Sequence, residues 1–173
     1  RLAGYDYAQS GAYFVTLCTH KHRCLFGRIV ENTMVANDLG RIVQEEWVRS
    51  ADMRDEIELD AYVVMPNHIH GVVFIDSDKF SADMKDSCQK QGTGVFHQKG
   101  PSKKSLSSLV AGFKAAVTKR QKVLAGQAEG SVWQRNYYEH ILRNEEDLHL
   151  VREYIMTNPA CWDKDKLHPV FGT

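Results

Sequence analysis

Two histidines separated by one apolar residue, His68-Ile69-His70, lie in the run Tyr62-Val63-Val64-Met65-Pro66-Asn67-His68-Ile69-His70-Gly71-Val72-Val73-Phe74-Ile75. The flanks are rich in β-branched and aromatic residues, which favours strand over helix. Side chains two apart on a strand share a face, so two imidazoles are presented side by side from a rigid element. Such a pair can hold a divalent metal, provided a third ligand and room for water or substrate exist nearby. Two histidines that only hydrogen-bond on a polar strand face are the plainer reading of the pair taken alone. Downstream, Tyr154-Ile155-Met156-Thr157-Asn158 sets a tyrosine and an asparagine four residues apart. On a helix these share a face, so a phenol and an amide oxygen reach one point. A phenol is a poor nucleophile at its free pKa of about 10. It becomes competent when it faces a phosphodiester whose charge a metal neutralises.

Several elements must position these groups. Gly11 to Thr19 is a nearly unbroken apolar run, predicted as a central strand with both faces covered. Asn37 or Asp38 caps a helix through Ile42, Val43, Glu46 and Trp47 to about residue 50. Ile57 to Met65 and His70 to Ile75 read as two strands joined at Pro66-Asn67. Asp76 to Lys104 loses periodicity and reads as a long flexible insertion. Ser105 opens an amphipathic helix carrying Leu106, Leu109, Val110, Phe113, Ala116 and Val117, which ends near Gly126. Val132 to Leu142 alternates as a strand. Asn144 with Asp147 has the form of a capping box for a last helix, which stops before Asn158-Pro159 because a residue preceding proline disfavours helix. The order β, α, β, β, α, β, α predicts a single α+β domain over residues 1–173, a ferredoxin-like sandwich with helices packed on an antiparallel sheet.

Composition narrows the class. The 173 residues carry 22 basic and 22 acidic side chains, so the net charge is zero. The charges are unevenly spread: Ser87 to Ala128 has no acid but holds Lys90, Lys99, Lys103, Lys104, Lys114, Lys119, Arg120 and Lys122. The acids gather around Glu45 to Asp60 and Glu139 to Glu153. This asymmetry marks a phosphate-facing side, or a solvated helix face beside a loop. No apolar run approaches the roughly 20 residues that span a bilayer, so no membrane role is expected. Cys18, Cys24, Cys88 and Cys161 show no metal-finger spacing and read as reduced thiols of a cytoplasmic protein.

Three stretches resemble the REP-associated tyrosine transposases, in the single-tyrosine branch of the HUH endonucleases. The first is Gly4-Tyr5-Asp6-Tyr7 with Gly11-Ala12-Tyr13-Phe14-Val15-Thr16 and Cys24-Leu25-Phe26-Gly27. The second is Tyr62-Val63-Val64-Met65-Pro66-Asn67-His68-Ile69-His70. The third is Trp133-Gln134-Arg135-Asn136-Tyr137-Tyr138-Glu139-His140-Ile141-Leu142-Arg143, followed by Tyr154-Ile155 and Asn158-Pro159. The resemblance implies that His68 and His70 bind Mg²⁺ or Mn²⁺, which polarises a scissile phosphate of single-stranded DNA. It implies that Tyr154 attacks phosphorus, leaving a 5′-phosphotyrosine link and a free 3′-OH. Relatives in the insertion-sequence branch carry Gln where this chain has Asn158, which is one methylene shorter and reaches the ion directly or through a water. The implied partner is a single strand folded into a palindromic hairpin with the cleavage site beside it. Lys103, Lys104, Lys114, Lys119, Arg120 and Lys122 are the candidates for its backbone. Trp133, Tyr137 and Tyr138 could stack on unpaired bases or pack in the core, and Gln134 and Arg143 could touch phosphate or base edges. The insertion-sequence relatives act as dimers, so a homodimer and a monomer both stay open.

Tyr137 and Tyr138 are rival nucleophiles, and the spacing of Tyr154 to Asn158 favours Tyr154. The alternative function is a catalytically inactive hairpin-DNA-binding module of the same fold. A hydrolase unrelated to DNA would need a carboxylate near the histidines, and Asp76 is the nearest downstream in sequence.

Overall fold

The computed structural model describes residues 10–76, 105–126 and 130–169. The predicted insertion, with Lys103 and Lys104, lies outside the described residues. The elements are β1 (Gly11–Cys18), a 3₁₀ turn (His20–His22), β2 (Gly27–Val30), β3 (Thr33–Ala36), α1 (Asp38–Asp52), β4 (Ile57–Met65), β5 (His68–Ile75), α2 (Leu106–Ala125), β6 (Tyr138–Leu142), α3 (Glu145–Thr157) and a 3₁₀ segment (Asn158–Lys164). Four strands form an antiparallel sheet in the order β4-β5-β1-β6. That is the split β-α-β order of a ferredoxin-like sandwich, so the predicted fold class holds.

The side-chain alternation of β1 divides the core in two. Tyr13, Val15 and Leu17 face one side of the sheet and pack with Trp47 of α1 and Leu109 and Phe113 of α2. Ala12 and Phe14 face the other side, where Leu148 and Ile155 of α3 cover them. Both faces of β1 are therefore buried, as its apolar run predicts. On the α1 side of β5, Gly71 leaves room for Trp47. A Cβ at Gly71 would lie 2.5 Å from Cζ2 of that fully buried indole. Gly71→Ala is expected to cost about 1–3 kcal/mol, the usual penalty of overpacking a rigid core, read as a lower urea midpoint with unchanged m-value.

The caps follow the sequence. Oδ1 of Asn37 accepts from the Gly40 amide at 2.9 Å, which settles the choice between Asn37 and Asp38. Ser105 caps α2, and Gly126 closes it in the left-handed region at φ +56°. Asn144 caps α3 by accepting from the Asp147 amide at 2.7 Å. The carboxylate of Asp147 reaches back to the amide of Arg143 rather than to that of Asn144, so the box is displaced by one residue.

Three expectations change. The β2–β3 hairpin has no counterpart in the predicted order. Its two-residue turn, Glu31-Asn32, holds φ at +49° and +60°, the primed-turn geometry usually signalled by Asn-Gly. The predicted strand from Val132 shortens to Tyr138–Leu142. Upstream of it the chain meets the end of β1 through a single bridge of Trp133 to Thr19, with the Gln134 amide donating to the Cys18 carbonyl at 2.9 Å. The carbonyls of Gln134 and Asn136 are instead taken by the Lys114 ammonium at 2.8 and 3.1 Å. Finally, α3 stops at Thr157, before Asn158-Pro159 as predicted, but not for the predicted reason, since Asn158 keeps helical geometry (φ −55°, ψ −43°). Pro159 enters the first turn of a 3₁₀ segment, where its missing N–H has no partner to lose.

Candidate active site

The register fixes the two histidines. Cys18 pairs with His68 and Thr16 with His70, on the sheet face that α3 covers. Both imidazoles are buried and their rings lie 4.3 Å apart. Oγ1 of Thr16 meets Nδ1 of His70 at 2.8 Å, and Oδ1 of Asn67 meets Nδ1 of His68 at 2.8 Å. With each Nδ1 engaged, both Nε2 atoms are left to face the α3 side.

What comes down from that side is a phenol, an amide and a carboxylate. The Tyr154 hydroxyl lies 3.2 Å from Nε2 of His70. Asn158, one turn later, is buried and donates from Nδ2 to Oδ2 of Asp165 at 3.1 Å. Asp165 follows the 3₁₀ segment and is buried too, with Oδ2 3.8 Å from Nε2 of His68. The ligand atoms of His68, His70 and Asp165 all lie within 4.8 Å of one another. Nε2 of His68 and Oδ1 of Asn158 are buried and lack a hydrogen-bond partner. Buried acceptors that converge with no donor between them are costly. The same set of imidazole nitrogens and oxygens suits a borderline or hard divalent cation. The residues present therefore fit the implied metal.

Electrostatics agree with a ligand role. Burial pushes the His68 pKa down to about 3, against a smaller upward pull from the neighbouring Asn158 amide. Burial, helped by the charge of His68, holds His70 well below its usual range. Both imidazoles are thus neutral, as ligation requires. The unfolded chain takes up protons at these positions once pH falls below about 6.5, while the folded chain does not. Stability is therefore fully present above that pH and falls as pH drops from it toward the depressed folded values. A urea midpoint that declines between pH 7 and pH 4.5, with a shallower decline in His68→Gln, is the expected result. Burial, and then the charge of Asp165, raise the Tyr154 pKa, so the phenol holds its proton at neutral pH.

A cleft of 870 Å³ opens over this cluster. Gln134, Tyr138, Lys164 and Lys166 are among the residues that line it. Tyr138 pairs with Thr16 in the ladder, so it extends the His70–Thr16 row across the sheet, and it is 59 % exposed. Tyr137 packs lower, its hydroxyl 3.3 Å from Oγ of Ser107. Of the three tyrosines, Tyr154 is the one hydrogen-bonded to a histidine of the pair.

The remaining sequence candidates divide. Trp133 is 6 % exposed between Phe26 and Phe113, so it is a core residue and cannot stack on a base. Lys114 is committed to the loop carbonyls. Arg120 spans Glu45 at 2.6 Å and Glu46 at 3.0 Å, tying α2 to α1. Lys119 and Lys122 are exposed along α2, Gln134 is exposed at the cleft, and Arg143 is exposed ahead of α3. Sequence reasoning missed Asp165, Lys164 and Lys166, which lie beyond Pro159 where no periodic pattern marks them. Sequence reasoning also found no carboxylate downstream nearer the histidines than Asp76 and ranked the unrelated hydrolase last on that ground, whereas Asp165 lies beside them.

No protein-family model matches the chain. A protein of Haemophilus influenzae, described as uncharacterized, is 38 % identical over 176 residues, covering 97 % of this chain and 91 % of that one. The chain belongs to that protein's family. Among solved structures, a REP-associated tyrosine transposase bound to a REP hairpin aligns with 96 % of this chain and 76 % of its own, at TM-score 0.58 and 17 % identity. The two share a fold. Among the described residues no helix is long and apolar enough to cross a membrane.

Proposed function

We propose that this protein is a single-stranded DNA strand transferase that cleaves beside a hairpin through a 5′-phosphotyrosine intermediate. The observation that carries the reading is the Tyr154 hydroxyl, 3.2 Å from His70 and beside the buried acceptor cluster. A shared fold with a hairpin-bound transposase supports the substrate class.

His68, His70 and Asp165 would hold Mg²⁺ or Mn²⁺, with Asn158 Oδ1 as a further donor. When bound, the ion supplies Lewis-acid stabilisation of charge on the scissile phosphate. The Tyr154 oxygen attacks phosphorus, the bond from phosphorus to O3′ breaks, and the phenolic proton ends on the departing 3′ oxygen. One phosphodiester is exchanged for another, so no energy source is consumed. Attack on the phosphotyrosine by another 3′-OH reverses the step and joins strands. The strand would enter the cleft, with Tyr138 offering a ring to an unpaired base and Gln134, Lys164 and Lys166 facing its backbone.

The test is a denaturing gel of the protein with end-labelled hairpin DNA and Mn²⁺. Label migrating with the polypeptide supports the reading. Hairpin binding without covalent label would instead make this an inactive binding module. Among the described residues, Lys119, Lys122 and Arg143 are the candidates left for the duplex backbone. Lys119→Ala and Lys122→Ala are each expected to lower the slope of log affinity against log salt by about one. Arg120→Ala should leave that slope unchanged, since its guanidinium already holds Glu45 and Glu46.

A further inference from the structure

Asn67 sits between β4 and β5, fully buried. Its amide nitrogen donates to the carbonyl of Leu167 at 2.7 Å and to that of His22 at 3.1 Å. Carbonyl oxygens only accept, so these two contacts fix which end of the amide is nitrogen. Oδ1 is then the atom that faces Nδ1 of His68 at 2.8 Å. An amide oxygen cannot donate, so the hydrogen between them belongs to His68. The imidazole must be the Nδ1–H tautomer, and its Nε2 carries a bare lone pair toward Asp165.

The same amide holds the segment that brings Asp165. Leu167 lies two residues beyond Asp165, and its amide donates to Oδ1 of that carboxylate at 2.7 Å. Asn67 thus grips the far end of a strap running from Asn158 over the histidines. We propose that Asn67 is a positioning residue that locks the tautomer of His68 and clamps the 158–168 strap, so that Nε2 of His68 and the carboxylate of Asp165 face one point. The role rests on the metal reading above for its purpose, but not for its geometry.

The two jobs can be separated. Asn67→Ala removes both. Asn67→Asp keeps an oxygen that accepts from His68 but loses the donors to His22 and Leu167. Protein labelled with ¹⁵N-histidine reports the tautomer by NMR with no metal present. Amide exchange at 165–168 reports the strap, and Mn²⁺ titration by electron paramagnetic resonance reports affinity. In the wild type, His68 is expected as the Nδ1–H form. Asn67→Ala should populate the other tautomer, speed exchange in the strap and weaken Mn²⁺ binding about 10–100-fold, as loss of an orienting partner does elsewhere. Asn67→Asp should retain the tautomer while the strap still loosens. A wild-type His68 in the Nε2–H form overturns the proposal, even if the variants do not fold. So does an Asn67→Ala protein with unchanged tautomer and strap exchange. If wild-type protein binds no Mn²⁺, the metal reading fails instead, and the NMR and exchange results still judge Asn67.

Discussion

Tyr154→Phe is expected to abolish the covalent DNA adduct while leaving hairpin affinity within about twofold. The substitution removes one oxygen from a side chain already 44 % exposed, so it vacates little packing volume. The ring still meets Phe14 edge-on, with centroids 6.2 Å apart. What disappears is the atom that would form the bond to phosphorus. Losing a nucleophile costs at least about three orders of magnitude in rate, which a gel registers as absence of the shifted band. Tyr138→Phe should keep the adduct, because its hydroxyl is assigned no chemistry. A labelled adduct that survives in Tyr154→Phe and vanishes in Tyr138→Phe would move the nucleophile to β6.

The second large effect concerns the ion. At a hundred times its dissociation constant, a bound ligand stabilises the folded state by about 2.7 kcal/mol. For a chain of this length each kcal/mol corresponds to about 2–4 °C in Tm. Mn²⁺ in that excess should therefore raise the wild-type Tm by about 5–10 °C. In His68→Ala or Asp165→Asn the shift should vanish. Each variant's melting point without metal will also move, since His68 is fully buried, so the quantity to compare is the increment on adding Mn²⁺. An unchanged increment in Asp165→Asn would remove that carboxylate from the proposed ligand set.

Asp165 also shows where the sequence stops being legible. The histidine pair could be placed from β-branched neighbours and period-two alternation, and Tyr154 with Asn158 from helical spacing. Each of these is a local rule. The carboxylate obeys none, because its approach to His68 depends on a 3₁₀ strap whose course is set by long-range contacts to Asn67. Trp133 is a similar case: an indole suits a base or a core equally well until the aromatic neighbours Phe26 and Phe113 are known. The charge pattern misled in another way. The acidic stretch near Glu45 and the basic one near Arg120 are distant in the chain, yet α1 and α2 pack side by side and neutralise each other there. The hairpin at Glu31-Asn32 stayed hidden because its residues are not the usual ones for that turn. The layered sheet was readable, since hydrophobic period alone specifies which strand faces are covered.

The phenol and the amide of Asn158 ride on one continuous rod, a single turn apart, and Arg152 on the same rod is pinned to Asp60 of β4 at 2.7 Å. A tilt of α3 that swings the hydroxyl outward must drag the amide with it. Under the proposed mechanism, arming the attack and surrendering a ligand would then be opposite ends of the same lever, and a crosslink freezing that lever against the sheet should halt turnover without evicting the DNA.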